Sequence, residues 1–175
     1  MIVISDTNIL SSLAAANSLY LLPKAFPRSQ IYIPTAVQAE LQIGASRGKS
    51  HLQAVLTQID SHEIGVLTLT EAEQQLSQTL PVKKLKTGER EGIILSQKHH
   101  ALFLSNDQRA VRYCREQQVR VIDLSNLLRL FWTQQLISQP KVRQLIEQMT
   151  EVENLVITPS QLSEIFGKRN PAAKG

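Results

Sequence analysis

The sequence predicts an α/β protein built on a mostly parallel sheet, and two observations carry that prediction. Five short apolar or β-branched runs, at residues 1–5, 30–33, 64–69, 101–104 and 119–122, alternate with stretches of helical spacing. Strand and helix in alternation is the pattern of parallel strands joined by helical crossovers, with helices on both faces of the sheet. The second observation is local. In VISDTNIL, residues 3–10, a β-branched run stops at Asp6-Thr7-Asn8 and continues as small apolar residues suited to a helix. That is a buried strand, an acidic turn and a helix within one short stretch, with Asp6 at the carboxyl end of the strand. In open α/β sheets ligands bind in the crevice outside those ends. Asp6 is equally explained as the cap of the helix that follows.

The elements follow in order. A helix over Ile9–Ala16 is succeeded by a short one over Ser18–Ala25, closed by Pro27, and by a second strand at Gln30–Ile33. Pro34 suits the first turn of a helix over Thr35–Ile43, whose Val37, Glu40 and Leu41 share a face. A helix over Leu52–Ile59 precedes the third strand, Ile64–Leu69, and Thr70 begins another helix that ends before Pro81. The loop 81–87 carries Lys83, Lys84 and Lys86, and residues 87–100 form a helix with an acidic start. The fourth strand, Ala101–Leu104, leads through a turn into a basic helix. The fifth, Val119–Ile122, leads into a helix over Leu124–Leu136 that holds Trp132. Beyond Pro140, a helix over Lys141–Glu151 and another begun by Ser160 make a helical extension. The sequence does not choose whether this extension packs on the domain or serves a partner. The organisation is therefore a domain at 1–136, an extension at 137–168 and a frayed tail at 169–175.

The totals fit one compact domain: 175 residues, 42% hydrophobic and 19% charged. A net charge of +4 mildly favours an anionic partner such as nucleic acid. The single cysteine, Cys114, excludes an internal disulfide and a cysteine-rich zinc site. No apolar run approaches the roughly 18 residues of a membrane span, and no basic segment precedes an apolar one at the N-terminus, so the expected location is the cytoplasm.

Four carboxylates fall at strand tips or in the helix just after one: Asp6, Glu40, Glu91 and Asp107. In a parallel sheet the carboxyl ends share an edge, and Glu40, roughly 9 Å along its helix, still reaches a crevice there. Singly, each has a plainer reading: Asp107 as a cap, Glu91 as a first-turn dipole acid, Glu40 as a solvated surface residue. Together they would repel one another, and a divalent cation offsets that cost. Oxygen ligands without His or Cys point to Mg²⁺ or Mn²⁺, an ion suited to assisting attack on a phosphodiester. Glu89 and Glu91 lie about 200° apart on their helix, so only one faces the pocket. Ile94 and Leu95, three and four residues on, favour Glu91.

VISDTNIL, IPTAVQAEL, GEREGIIL and LFLSNDQRAVRYCREQQVRVIDL together resemble the PIN-domain family, in particular the VapC-like toxin ribonucleases of toxin–antitoxin systems. The resemblance spans residues 1 to about 130. It implies a three-layer α/β/α sandwich with a Mg²⁺ or Mn²⁺ site of Asp6, Glu91 and Asp107, with Glu40 as their catalytic partner. It also implies RNA as substrate, a small antitoxin as partner and a homodimer. Thr7 or Asn8 would orient Asp6, and Arg109, Arg112 and Lys86, with Lys83, Lys84 and Arg90 nearby, would contact RNA. Relatives often carry two consecutive acids where this chain has Asn106-Asp107. The alternative is therefore a catalytically degenerate domain that binds RNA or protein.

Overall fold

The computed structural model describes residues 1–82 and 84–167. The chain runs β1 (Ile2–Ser5), α1 (Thr7–Ala15), α2 (Leu21–Ala25), β2 (Gln30–Pro34), α3 (Thr35–Ser46), α4 (Leu52–Asp60) and β3 (Ile64–Leu67). It continues α5 (Glu71–Thr79), α6 (Thr87–Lys98), β4 (Leu102–Leu104), α7 (Gln108–Glu116), β5 (Val121–Ile122), α8 (Leu124–Thr133), α9 (Gln139–Glu153) and α10 (Pro159–Phe166). The five strands form one sheet in the order β3-β2-β1-β4-β5 with every pairing parallel.

Side chains alternate across the sheet at the two-residue period of a strand. Val3, Ile31, Ile33, Leu102 and Leu104 enter a large apolar core shared with α1–α4 and α8–α10. Ile4, Tyr32 and Phe103 point the other way, into a smaller core under α6 and α7. The sheet is thus covered on both faces, an α/β/α sandwich, and β1 lies at its centre. Among the described residues no helix is long and apolar enough to cross a membrane.

The element order matches the alternation in the sequence, with shorter strands and shifted helix ends. Residues 18–20 form a turn rather than the start of a helix, and α2 is only five residues long. Val119 and Arg120 stay outside β5, which pairs with β4 over two residues. Of the C-terminal extension, Val142, Leu145 and Met149 of α9 and Ile165 of α10 are buried in the large core. Glu153, at the end of α9, accepts hydrogen bonds from Ser11 and Ser12 of α1 and pairs with His51. Both Ser11 Oγ and Glu153 Oε1 meet the same ring nitrogen of His51, so the trio is a tie between helices and not a proton relay. The expected frayed tail, 169–175, lies outside the described residues, as does Lys83.

Candidate active site

Three helices point their N-termini at the carboxyl edge of β1 and β4, and each brings a carboxylate. Asp6 follows β1 directly, and its backbone N–H donates to Leu104 O (2.9 Å), which fixes it against the neighbouring strand. Its Oδ1 accepts from Ile9 N (2.8 Å) and caps α1, while Oδ2 accepts from Asn106 N (3.2 Å). The cap and the site acid are therefore one residue. Asp107 does the same for α7, its Oδ1 accepting from Arg109 N (2.8 Å) and Ala110 N (3.0 Å). Glu89, the third residue of α6, reaches back so that Oε2 accepts from Lys86 N (2.8 Å). The partial positive charge of each helix N-terminus favours these anions.

Burial works against them. Asp6 is 1% exposed, and desolvation pushes its carboxyl up from 3.8 to about 6. Hydrogen bonds from Ile9, Ser105 and Asn106 oppose that rise, and the charge of Asp107 adds to it. The Glu89 carboxyl is likewise held above its ordinary value, first by burial and then by the negative charges of Asp107 and Asp6, with Lys86 opposing. Among the described residues neither Asp6 nor Glu89 forms an ion pair. Asp107 has only Arg109, 3.9 Å away with the arginine half exposed.

The carboxylate that lies near enough to feel the charges of Asp6 and Asp107 is Glu89, whereas the sequence favoured Glu91. The buried stripe of α6 that faces the sheet runs Glu89, Gly92, Ile93, Ser96, the three-and-four spacing of one helix face. Gly92 sits against the Phe103 ring, which an added Cβ would approach to 2.5 Å. Ile94 and Leu95 are buried as well, so their apolarity did not mark the site-facing side. Glu91 turns instead to α3, where Oε2 accepts from Ala36 N (3.1 Å) and supplies the cap that Pro34 cannot. Glu91 also lines a separate cleft with Gln74, Ser77, Gln78, Thr87 and Arg90.

Glu40 lies beside the first turn of α6, held by Thr7, whose Oγ1 donates to Glu40 Oε2 (2.5 Å). At Gly88 a side chain would collide with Val37 (2.8 Å) and crowd Glu40 Oε1 (3.4 Å), so glycine is what lets α6 close onto α3. Thr7 thus orients Glu40, not Asp6. Asn8 and Asn106 both line a groove with Ser12, Lys49 and residues 153–156; only the backbone N–H of Asn106 touches Asp6. Sequence reading missed Glu89, Gly88 and Ser105, whose Oγ also accepts from Asp107 N (3.3 Å). The glycine-glutamate pair followed by Gly92, Ile93 and Ser96 was the signal that could have found the first two.

Of the cations expected to meet RNA, Arg90 is committed elsewhere. Its guanidinium donates to the carbonyls of Ser77, Val82 and Leu85 (3.2 Å each) and Gln78 (3.4 Å), clamping the loop between α5 and α6. Lys84, Arg109 and Arg112 line one cleft with Tyr113. Lys86 stays exposed at the N-cap of α6.

An all-carboxylate donor set suits a hard divalent ion. Among the described residues Glu89 Oε1 and Asp107 Oδ2 accept no hydrogen bond, and Oδ2 has only Arg109 at 3.9 Å beside it. The carboxylates are not drawn together, however: among the described residues no three His, Cys, Asp or Glu side chains are grouped closely enough to hold an ion.

No curated protein sequence matches the chain significantly. The crystal structure titled VapBC2 from Rickettsia felis bound to a DNA fragment from their promoter is similar in fold, with a TM-score of 0.52 at 20% identity. The match covers 70% of this chain and 98% of that one. The family model described as PIN domain, DUF3368, matches residues 2–170. The chain belongs to the PIN-domain family.

Proposed function

We propose that this PIN domain is a Mg²⁺- or Mn²⁺-dependent endoribonuclease, with Asp6, Glu89 and Asp107 as metal ligands and Glu40 as their neighbour. One observation carries the reading. Three carboxylates lie along one sheet edge, and burial and mutual repulsion raise Asp6 and Glu89 where, among the described residues, no ion pair answers them. A divalent ion, when bound, supplies the missing positive charge, polarises a water and stabilises charge on a phosphoryl oxygen. Asp6 is held rigid by Ile9, Ser105 and Asn106, so its carboxylate orients without reorganising. Glu89, whose carboxyl burial and the charges of Asp107 and Asp6 hold above its ordinary value, would also accept the proton of the attacking water. As the water oxygen joins phosphorus, the bond from phosphorus to the leaving ribose oxygen breaks, with no covalent enzyme intermediate. Arg109 stands beside Asp107 to meet the phosphate charge.

The biological role we propose is the toxin of a toxin–antitoxin pair, in the cytoplasm, as a homodimer. A small antitoxin would mask the site with an arginine placed among the acids. The likeness to the Rickettsia felis VapBC2 structure supports this reading through the shared fold. Cleavage of RNA by the purified chain, lost on adding EDTA and lost in Glu89→Gln, is the expected result. Cleavage that survives EDTA would remove the metal from the reaction.

The wide setting of the three carboxylates favours a second reading, a PIN domain that binds RNA without cutting it. Calorimetric titration with Mn²⁺ separates the two. Heat that saturates with Mn²⁺ in the wild type but not in Glu89→Gln supports the nuclease; no heat at millimolar Mn²⁺ supports the binding module.

A further inference from the structure

Beside the acids, one face of α7 and the loop before α6 enclose a cleft of about 500 Å³ lined by Pro81, Val82, Lys84, Arg109, Arg112, Tyr113 and Glu116. We propose that this cleft is a substrate subsite for single-stranded nucleic acid, in which Tyr113 stacks a base and Lys84, Arg109 and Arg112 hold the flanking phosphates. The inference rests on the nuclease reading for its substrate, RNA, but on separate residues for its geometry.

Four of the lining residues, Arg109, Arg112, Tyr113 and Glu116, fall at intervals of three and four along α7 and so form one continuous face. Arg109 stands at the acid end, 3.9 Å from Asp107, and Glu116 at the far end. Positive charge therefore begins where the cleaved phosphate would lie and continues outward. Tyr113 is half-buried, packed with Val82 against the core beneath the sheet, so its ring is held in place while its remaining surface faces the cleft. An aromatic ring between cations is the arrangement that takes an unpaired base and its backbone, because every base offers a π face. Glu116 would repel a phosphate but accepts a hydrogen bond from an exocyclic amine, which places a base edge at that end.

The opposite wall is built, not merely nearby. Arg90 gathers four carbonyls of residues 77–85 and so fixes the loop that presents Lys84. Lys84 stands in the left-handed region at φ 66°, which turns the chain back on itself within that clamp. The cleft's volume lies in the range of small-ligand sites, roughly 300–1,000 Å³. That is room for a nucleotide or two, and an unpaired base can reach Tyr113 where one stacked within a duplex cannot.

The test is binding without cleavage: fluorescence anisotropy of a labelled eight-nucleotide single-stranded RNA in EDTA, against the same sequence as a duplex. The single strand is expected to bind more tightly. Tyr113→Leu should weaken it about tenfold while Tyr113→Phe stays near wild type. Arg112→Gln, at an exposed position that cannot disturb folding, should lower the salt dependence by about 0.7 in log–log slope. Duplex RNA binding as tightly as the single strand overturns the proposal, as does Arg112→Gln with an unchanged slope. So does unchanged binding by Tyr113→Leu of wild-type melting temperature, or displacement of the RNA by polyglutamate as readily as by unlabelled single strand. The readings fail separately. RNA bound in this manner but never cut with Mn²⁺ keeps the subsite and removes the nuclease. RNA cut by a chain in which Tyr113→Leu and Arg112→Gln bind normally keeps the nuclease and removes the subsite.

Discussion

Two helices on the same side of the sheet begin with the same device and put it to opposite uses. Glu73 of α5 and Glu89 of α6 are each the third residue of their helix, and each accepts from the N-cap backbone N–H at 2.8 Å. Glu73 also meets the ammonium of Lys98, which holds its carboxyl down at about 2. Glu89 has no such partner and is pushed up, first by its burial and then by the charges of Asp107 and Asp6. The strand tips repeat the contrast. Asp123 after β5 caps α8 and is answered by Arg115 at 3.2 Å, whereas Asp6 after β1 caps α1 and, among the described residues, is answered only by hydrogen bonds. A carboxylate at a helix start is structural by default; an unanswered charge is what distinguishes the site.

The contrast breaks most visibly in catalysis. Glu89→Gln is expected to lower metal-dependent RNA cleavage by roughly 10²–10³-fold, the scale for losing one group that stabilises transition-state charge. Glu73→Gln and Glu91→Gln should leave cleavage within a few-fold. Equal losses in Glu89→Gln and Glu91→Gln would erase the distinction between the two faces of α6.

Proton linkage sharpens it next. The Asp6 pKa is raised from 3.8 to about 6, so the stability it gives is fully present below about pH 4 and lost as pH rises through about 6. Glu73 has the opposite sign, its stability present above 4.5 and lost as pH falls toward about 2. Between pH 4 and 7 the unfolding free energy of Asp6→Asn, measured in urea, should gain about 2 kcal/mol relative to wild type. A difference that stays flat with pH would mean that Asp6 is not a buried, unanswered charge. Divalent ions offer a comparable handle. Mn²⁺ at a hundred times its dissociation constant should stabilise the wild type by about 2.7 kcal/mol, or about 5–10 °C in melting temperature. Glu89→Gln should show little of that rise and Glu73→Gln all of it. The smallest effect belongs to the answered acid: Asp123→Ala should cost about 1 kcal/mol of stability, the value of a helix cap, and leave cleavage unchanged.

The fold was legible because its strands are short β-branched runs cut off by caps, and because a parallel sheet fixes which strand ends share an edge. That Asp6 and Asp107 would share an edge was legible for the same reason. Glu89 was not. Its helix is buried on its flanks as well as on its sheet face, so Ile94 and Leu95 imitate an inward stripe that Gly92, Ile93 and Ser96 occupy. Its N-cap is Lys86, with no Ser, Thr, Asp or Asn to announce the reach-back. Capping by Glu91 of a helix 55 residues away in sequence leaves no local mark at all. Nor does a carboxylate reveal its counterion: nothing near Asp123 separates it from Asp6 except Arg115, one of nineteen lysines and arginines.

The tie between Glu153 and the two serines of α1 has a consequence for synthesis. Asp6 caps α1, yet α1 is completed by a residue 141 positions further along the chain, and β1 waits for β4 across about a hundred residues. A ribosome-bound chain that has not yet delivered α9 holds the first acid on a helix with an uncovered flank. Contacts of such long separation form late. The edge that carries Asp6 and Asp107 is thus completed only once β4 has been made, and α1 gains its last cover only with α9.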